Sequence, residues 1–418
     1  MRVRILVNIV LTVFICCGCQ SQQIYKPLFV CTSKLCDSYG ICTHVNRKGP
    51  KYEFDTRNQD LAMIRSTGAS FIRTDWDWPS LLSSEKGKYS FEHFDKLMKS
   101  VNDERLNALA IVTLRPNYNN SSIEEWKEHL KEEVRHYKQI RNWEVLNEVD
   151  IIRTWNPDIY ANDYVELLKN GYKIIKEQNK KAKVVFSGLA NSDSRYLDSI
   201  LCENVCEYFD IMNVHRYNNK SSEPEELLAY FQRLYDKLEV YGVKKTVWLT
   251  ECGCSTAEGW ASEEVQANRL PRIFLISYAC GINKVFWYKS RSREIDSSDK
   301  EDFFGLWHKD YSPKPAFYAY QTLVRMCPDK STRPKLVRHG NVYMASWKRP
   351  DGKKAWALWT SKKEEKLVLD IKGNYKIYSD KGEEMEYLST SDLLVTSSVK
   401  YIVGAKSLQM FNDGVISL

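Results

Sequence analysis

The sequence predicts an α/β protein: a (β/α)8 barrel followed by a C-terminal antiparallel β-sandwich. Three observations carry this. Short apolar runs alternate with amphipathic helical stretches from residue 39 to residue 326. Several runs, such as Ala110-Ile111-Val112 and Val184-Val185-Phe186, are nearly continuous in branched apolar residues, as strands are when both faces of a parallel sheet are covered. Beyond residues 328–334 the helical period disappears and alternating, turn-punctuated segments take over.

The strand-like runs are residues 39–44, 70–76, 108–114, 140–146, 183–189, 210–215, 246–251 and 284–288. The helical patterns are 60–66, 91–101, 124–137, 159–178, 195–202, 224–241, 263–278 and 315–326. Ser122 before Glu124-Glu125, Asn156-Pro157 before Asp158, and Ser262 before Glu263-Glu264 read as helix starts. Strand followed by helix, eight times over, is the order of a closed barrel. A doubly wound open sheet is the alternative, but no G-x-G-x-x-G or Walker-type loop follows any strand. Turns at Asp351-Gly352, Gly373-Asn374 and Lys381-Gly382 divide the last part into five to eight expected strands. The 418 residues suit a barrel of about 250 residues plus a smaller module. The expected division is a leader at 1–19, a linker or strand at 20–37, the barrel at 38–330 and the sandwich at 331–418.

Arg2 and Arg4 precede an apolar run at residues 5–15, then Cys16-Cys17-Gly18-Cys19-Gln20. That is a signal-peptide pattern too short to span a bilayer. Glycine directly before cysteine resembles a bacterial lipoprotein signal, with Cys19 as the lipidated residue. The chain is therefore expected to be exported and held at the bacterial envelope, periplasmic or cell-surface; plain secretion is the alternative. Three of the 12 cysteines fall in this leader. The odd remainder leaves at least one thiol unpaired within a monomer, and buried thiols with one or two local disulfides are expected. No paired C-x-x-C stands at zinc-finger spacing, so a zinc site is not expected; with no Asp/His cluster suited to a metal and no Gly-rich dinucleotide loop, no cofactor is expected. The net charge of +7 comes as scattered lysine pairs rather than a stripe, which argues against a nucleic-acid partner. The sequence does not indicate an oligomeric state.

In such a barrel, chemistry gathers where the strands end. The first run ends on His44, and the second carries Arg73, Asp75, Trp76 and Trp78. The third leads into Arg115 and Asn117, the fourth ends on Asn147-Glu148, and the sixth ends on His215 with Tyr217 beyond it. The seventh ends on Glu251, and the eighth carries Trp287 and Tyr288. Two glutamates among hydrogen-bonding and aromatic groups suit glycosidic bond cleavage, in which one carboxyl gives a proton and the other attacks or activates water. Glu144 lies about 13 Å down the strand from Glu148 at ~3.3 Å per residue, and reads as a buried partner for a basic group. Trp126, Trp143 and Trp248 read as core, and Trp260 as a loop residue near the mouth. His93, His129, His136, His308 and His339 read as structural or solvated.

These strand ends, taken in order, resemble glycoside hydrolase clan A, the retaining (β/α)8 glycosidases. Asn147-Glu148 matches the Asn-Glu pair after strand four, Thr250-Glu251-Cys252-Gly253 the strand-seven glutamate, and His215-Arg216-Tyr217 the strand-six H-x-Y. Three longer runs point to family 39 and its neighbours. They are residues 40–44, residues 72–78 with 87–91, and Phe304-Gly305-Leu306-Trp307 with residues 313–318. The resemblance implies a carbohydrate substrate, Glu148 as acid/base and Glu251 as nucleophile. Asn147 would bond the sugar 2-hydroxyl, Tyr217 and Arg73 would sit against Glu251, and His44, His215 and Trp287 would line the subsite. Trp76 and Trp78 offer further stacking faces. The cysteines after Glu251 and the loosely matched Arg115-Pro116-Asn117 depart from the pattern. A non-catalytic glycan-binding lipoprotein and an inverting hydrolase are the alternatives, and the sugar is not specified.

Overall fold

The structure, a computed structural model, describes residues 22–47, 54–76, 89–114, 120–151, 161–192, 194–217, 220–361, 364–386 and 393–411. The leader with Cys19, and Trp78, Arg115 and Asn117, lie outside these residues. After a short strand β1 (Gln23–Tyr25), eight parallel strands close into a barrel. They are β2 (Tyr39–Cys42), β3 (Phe71–Trp76), β4 (Asn107–Val112), β5 (Asn142–Val145), β6 (Lys183–Val185), β7 (Ile211–His215), β8 (Thr246–Cys252) and β9 (Lys284–Trp287). The ring closes where Tyr39 pairs with Val285. Helices α1 (Arg57–Ser66), α2 (Glu92–Asp103), α3 (Asn120–His136), α4 (Ala161–Gln178), α5 (Arg195–Leu201), α6 (Glu226–Val240), α7 (Glu263–Cys280) and α8 (Pro315–Met326) follow the strands in turn. The Ser262 signal is realised as a cap, its side chain accepting from the Val265 amide. Ser122 lies inside helix α3 (Asn120–His136) rather than at its start, and Asn156-Pro157 lies outside the described residues.

Alternation along each strand sorts the side chains into two layers. Phe71, Leu109, Val185, Ile211, Trp248 and Phe286 fill the barrel interior. Gly40 admits the Phe286 ring, which would stand 2.3 Å from a Cβ there. The alternate residues, among them Ile72, Trp76, Trp143, Val214 and Trp287, pack in the main core with helix residues such as Phe94 and Leu97. Interior positions nearer the strand ends are polar: Arg73, Glu144 and Asn213 are buried there. The barrel is thus plugged below and polar above.

Among the described residues, the C-terminal part forms nine strands, one more than the upper expectation. They are β10 (Lys335–His339), β11 (Val342–Lys348), β12 (Lys354–Thr360), β13 (Glu365–Lys372), β14 (Lys376–Tyr378), β15 (Glu384–Met385), β16 (Leu393–Val395), β17 (Lys400–Val403) and β18 (Ser407–Phe411). The single run expected near 393–403 breaks into β16 and β17, which join different sheets. The sheets run β1-β10-β11-β12-β17-β14-β15 and β16-β13-β18, with Leu358, Leu367, Leu369, Ile377 and Ile402 between them. Strand β1 pairs with β10 from Gln23 opposite Arg338, so the N-terminal segment caps an edge of the sandwich sheet. The module is fixed to the barrel by polar contacts. Trp347 Nε1 donates to the Met326 carbonyl at 3.0 Å, Trp359 Nε1 to Glu225 at 2.7 Å, and Arg333 to the Tyr278 and Ile282 carbonyls at 2.9 and 2.7 Å.

The nine described cysteines are all free thiols, which corrects the expectation of local disulfides. Cys42, Cys252, Cys254, Cys280 and Cys327 are buried and act as small core residues. Among the described residues, no helix is long and apolar enough to cross a membrane.

Candidate active site

A cavity of about 660 Å³ opens at the ends of the barrel strands. Two backbone irregularities deliver its carboxylates. Beyond β5 the chain enters the left-handed region at Leu146 (φ 63°) and Glu148 (φ 45°). That costs about 1–2 kcal/mol per residue and marks a site whose geometry outweighs local comfort. The turn is held by the Leu146 amide on the Val112 carbonyl (3.1 Å) and the Glu148 amide on the Gly188 carbonyl (2.9 Å). On β8 the register slips. Val214 pairs with Leu249, but His215 pairs with Glu251, and the β9 pairing shifts over the same stretch. Thr250 is the extra residue. The bulge lets Thr250 and Glu251, consecutive in sequence, both turn inward, while Leu249 and Cys252 join the main core.

Arg73 organises the floor. Its Nε and Nη2 donate to the two oxygens of Glu144 at 2.7 and 2.8 Å, its Nη1 to Glu251 Oε1 at 2.5 Å, and its Nη2 also to Asn147 Oδ1 at 2.6 Å. Glu144 is thus the buried partner for a basic group that the sequence suggests. The Tyr217 hydroxyl donates to Glu251 Oε2. His215 Nδ1 lies 2.9 Å from Glu148 Oε1 and 3.7 Å from Glu251 Oε2. One carboxylate oxygen from each glutamate and a His215 ring nitrogen all lie within 4.8 Å of one another. That spacing alone would suit a metal ion, but both ring nitrogens are in hydrogen-bond contacts, with Glu148 and Thr250.

The electrostatics separate these groups. Burial opposes the charged form of Glu251, but His215, Arg73 and the Tyr217 hydroxyl outweigh it and hold the carboxyl below its ordinary range. Burial together with the Glu251 charge pushes Tyr217 well up, so it stays a donor. Burial, and after it the charges of Arg47 and Lys289, keep His44 well below the usual histidine value, so it meets the cavity as a neutral imidazole.

Glu148, Glu251, Asn147, Arg73, His44 and Tyr217 line the cavity. Three expectations are corrected. His215 is fully buried behind Glu148 and touches the carboxyl rather than the cavity. Trp76 and Trp287 are 1% and 0% exposed and cannot stack on a sugar. Their strand parity explains this: Arg73 and Asp75 share the inward face of β3, so Trp76 must point outward, where it stacks on Phe94 with ring centroids 4.3 Å apart. On β9, Phe286 faces in, so Trp287 faces out and Tyr288 faces in. Tyr288, named at the end of the eighth run but given no role from the sequence, lines the cavity, and the alternation was the signal. It meets Tyr217 and Phe304 edge-to-face, with centroids 6.0 and 5.5 Å away. Trp260 does stand at the cavity, along with Arg47 and Glu301; Arg47 comes from a loop and Glu301 from a single 3-10 turn, and neither carries a periodic signal.

The glycosyl hydrolase catalytic core family matches residues 79–306, and the chain belongs to that family; it is a glycoside hydrolase. Solved structures share its architecture. A family 39 glycoside hydrolase from the gut symbiont Bacteroides cellulosilyticus WH2 superposes with a TM-score of 0.70 at 20% identity, over 89% of this chain and 81% of that one. A glucosidase from Croceicoccus marinus gives 0.68 at 12% identity, over 91% and 98%. A monomeric beta-xylosidase from Caulobacter crescentus CB15 gives 0.65 at 12%, over 90% and 98%. These likenesses show the expected fold, a (β/α)8 barrel with a β-sandwich. A search of curated proteins finds no match.

The two kinds of tryptophan should separate in experiment. Trp76→Ala is expected to lower stability by about 3–5 kcal/mol and leave KM unchanged. Trp260→Ala is expected to raise KM and leave stability near wild type. Parallel unfolding and steady-state measurements check both.

Proposed function

We propose that this glycoside hydrolase works with retention, by double displacement, with Glu251 as nucleophile and Glu148 as acid/base. The observation that carries the reading is the approach of the two carboxyls: an oxygen of each lies within 4.8 Å of the other. Retaining enzymes place their carboxyl groups about 5–5.5 Å apart, whereas inverting enzymes need about 6.5–9.5 Å to fit a water. The depressed Glu251 supports the nucleophile's role, because attack on the anomeric carbon requires an ionised carboxylate.

In the first half-reaction Glu148 gives a proton to the leaving oxygen as Glu251 attacks, forming a glycosyl ester and breaking the glycosidic bond. In the second, Glu148 takes a proton from water, which displaces Glu251 and frees the sugar. Arg73 orients Asn147 through its Oδ1, so the amide meets the sugar 2-hydroxyl in a fixed pose. Trp260 and Tyr288 supply apolar faces at the cavity wall. A panel of aryl glycosides and polysaccharides tests the reading. The wild-type protein should hydrolyse at least one, and Glu148→Gln and Glu251→Gln should each lose that hydrolysis while remaining folded. Full activity in either variant would overturn it.

Export and lipid attachment at Cys19 belong to the same proposal. Their support is the charged, apolar, cysteine-ended leader. Labelled palmitate entering the wild type but not Cys19→Ser is the expected result.

A further inference from the structure

Behind Glu148 lies a buried chain of hydrogen bonds that the double displacement leaves unused. It begins at Glu144, which accepts twice from Arg73 and once from the Gly188 amide at 3.1 Å. It also accepts from Asn213 Nδ2 at 2.9 Å. A carboxylate only accepts, so Asn213 must turn its NH2 to Glu144 and its Oδ1 away. That Oδ1 accepts the Thr250 hydroxyl at 2.6 Å. A threonine hydroxyl has a single proton. With it committed to Asn213, Thr250 Oγ1 can only accept from the next group, His215 Nε2, at 3.1 Å. The ring therefore carries a proton at Nε2.

We propose that Asn213 and Thr250 lock the His215 tautomer, so that the proton Glu148 delivers is held jointly by Glu148 and His215 Nδ1. The proposal rests on the acid/base reading of Glu148. With Nε2 protonated, the 2.9 Å contact between His215 Nδ1 and Glu148 Oε1 needs one further proton, on the oxygen or on the nitrogen. Removing it would leave a nitrogen lone pair facing a carboxylate. The ring cannot relieve this by moving its remaining proton to Nδ1, since Nε2 would then face the oxygen of a hydroxyl whose only proton is committed elsewhere. Nor is there slack around the ring: a Cβ at Gly188 would stand 2.0 Å from Nε2. The lock makes the pair hold its proton, and the same pair takes a proton back from water in the second half-reaction.

The charged groups around the ring are Glu148 and Glu144 from the β5 end, Glu251 from β8 and Arg73 from β3. Burial and Arg73 favour the neutral ring, yet Glu251 and the bond to Glu148 prevail and raise its proton affinity above the ordinary histidine value. Thr250 and Asn213 are positioning residues, since they act only through His215.

Nitrogen-15 spectra of histidine-labelled protein test the lock, with the His215 signals assigned by their loss in His215→Asn. The wild-type ring is expected to keep its Nε2 proton throughout the active pH range. In Thr250→Val the neutral ring is expected to carry its proton on Nδ1, facing the Glu148 carboxylate. That tautomer eases proton loss from the pair, so the basic limb of kcat/KM should move to lower pH by about 0.5–1 unit. Thr250→Ser should behave as wild type in both measurements. A wild-type ring with Nδ1–H alone overturns the proposal, and the wild-type spectrum decides this even if Thr250→Val fails to fold. An unchanged tautomer or an unmoved basic limb in folded Thr250→Val also overturns it. Glu148→Gln separates the two levels. If that variant is inactive and the lock fails, only the lock is lost; if it is fully active, the acid/base reading falls.

Discussion

Glu251→Gln is expected to lower kcat/KM by at least about 10⁴-fold, ~5.5 kcal/mol of barrier. The amide keeps the shape of the side chain but cannot attack the anomeric carbon, and neither Glu144 nor Glu148 can replace it. Glu144 is fully buried and held by Arg73, Asn213 and Gly188. Glu148 lies against His215 on the other side. The residual rate would come from acid catalysis and binding alone. The fold should survive, because Arg73 keeps both bonds to Glu144 when its second carboxylate partner, Glu251, becomes an amide. Steady-state kinetics with thermal unfolding on the same preparation separate a chemical defect from a structural one.

The second large effect concerns stability. Arg73→Met is expected to lose about 3–5 kcal/mol, the usual result of leaving a buried carboxylate without its cation. Glu144 sits at the polar layer of the barrel and would keep only Asn213 and the Gly188 amide. The double variant Arg73→Met/Glu144→Met should be less destabilised than Arg73→Met, since no orphan charge remains at that layer, and denaturant titration of the set measures the coupling. The same substitution changes the pH profile. Arg73 favours the ionised form of Glu251, so the wild-type acid limb should lie below the ordinary glutamate value of about 4.3. In Arg73→Met the carboxyl rises, protonates at higher pH, and moves that limb upward. A limb that stays in place would show that Tyr217 and His215 alone hold the charge.

Much of this site was legible in the chain itself. Strand ends are short and ordered, so Asn147-Glu148, Glu251, Arg73 and Tyr217 could be placed on one rim from the alternation of strand and helix. Glu144 could be set apart by depth alone. The failures came from applying the rule of strand ends without the rule of alternation. Once Arg73 points inward, Trp76 points outward, and once Phe286 points inward, Tyr288 and not Trp287 meets the cavity. Glu251 is the instructive exception. Strict alternation from Trp248 would turn it toward the helices, and only the slipped register at Thr250 brings it in. A bulge of that kind has no compositional signature. Arg47 on its loop, Glu301 on its 3-10 turn, and the fusion of β1 to the sandwich edge depend on pairings distant in sequence and were equally silent.

Double displacement has one direct test, the configuration of the sugar first released. Proton NMR of the anomeric signal, recorded within the first turnovers on a glycoside that the enzyme accepts, reads it before mutarotation mixes the anomers. The expected product has the same anomeric configuration as the substrate, from two inversions through an ester on Glu251. A first-formed product of opposite configuration would mean a single displacement by water, and would contradict the assignment of Glu251 as nucleophile.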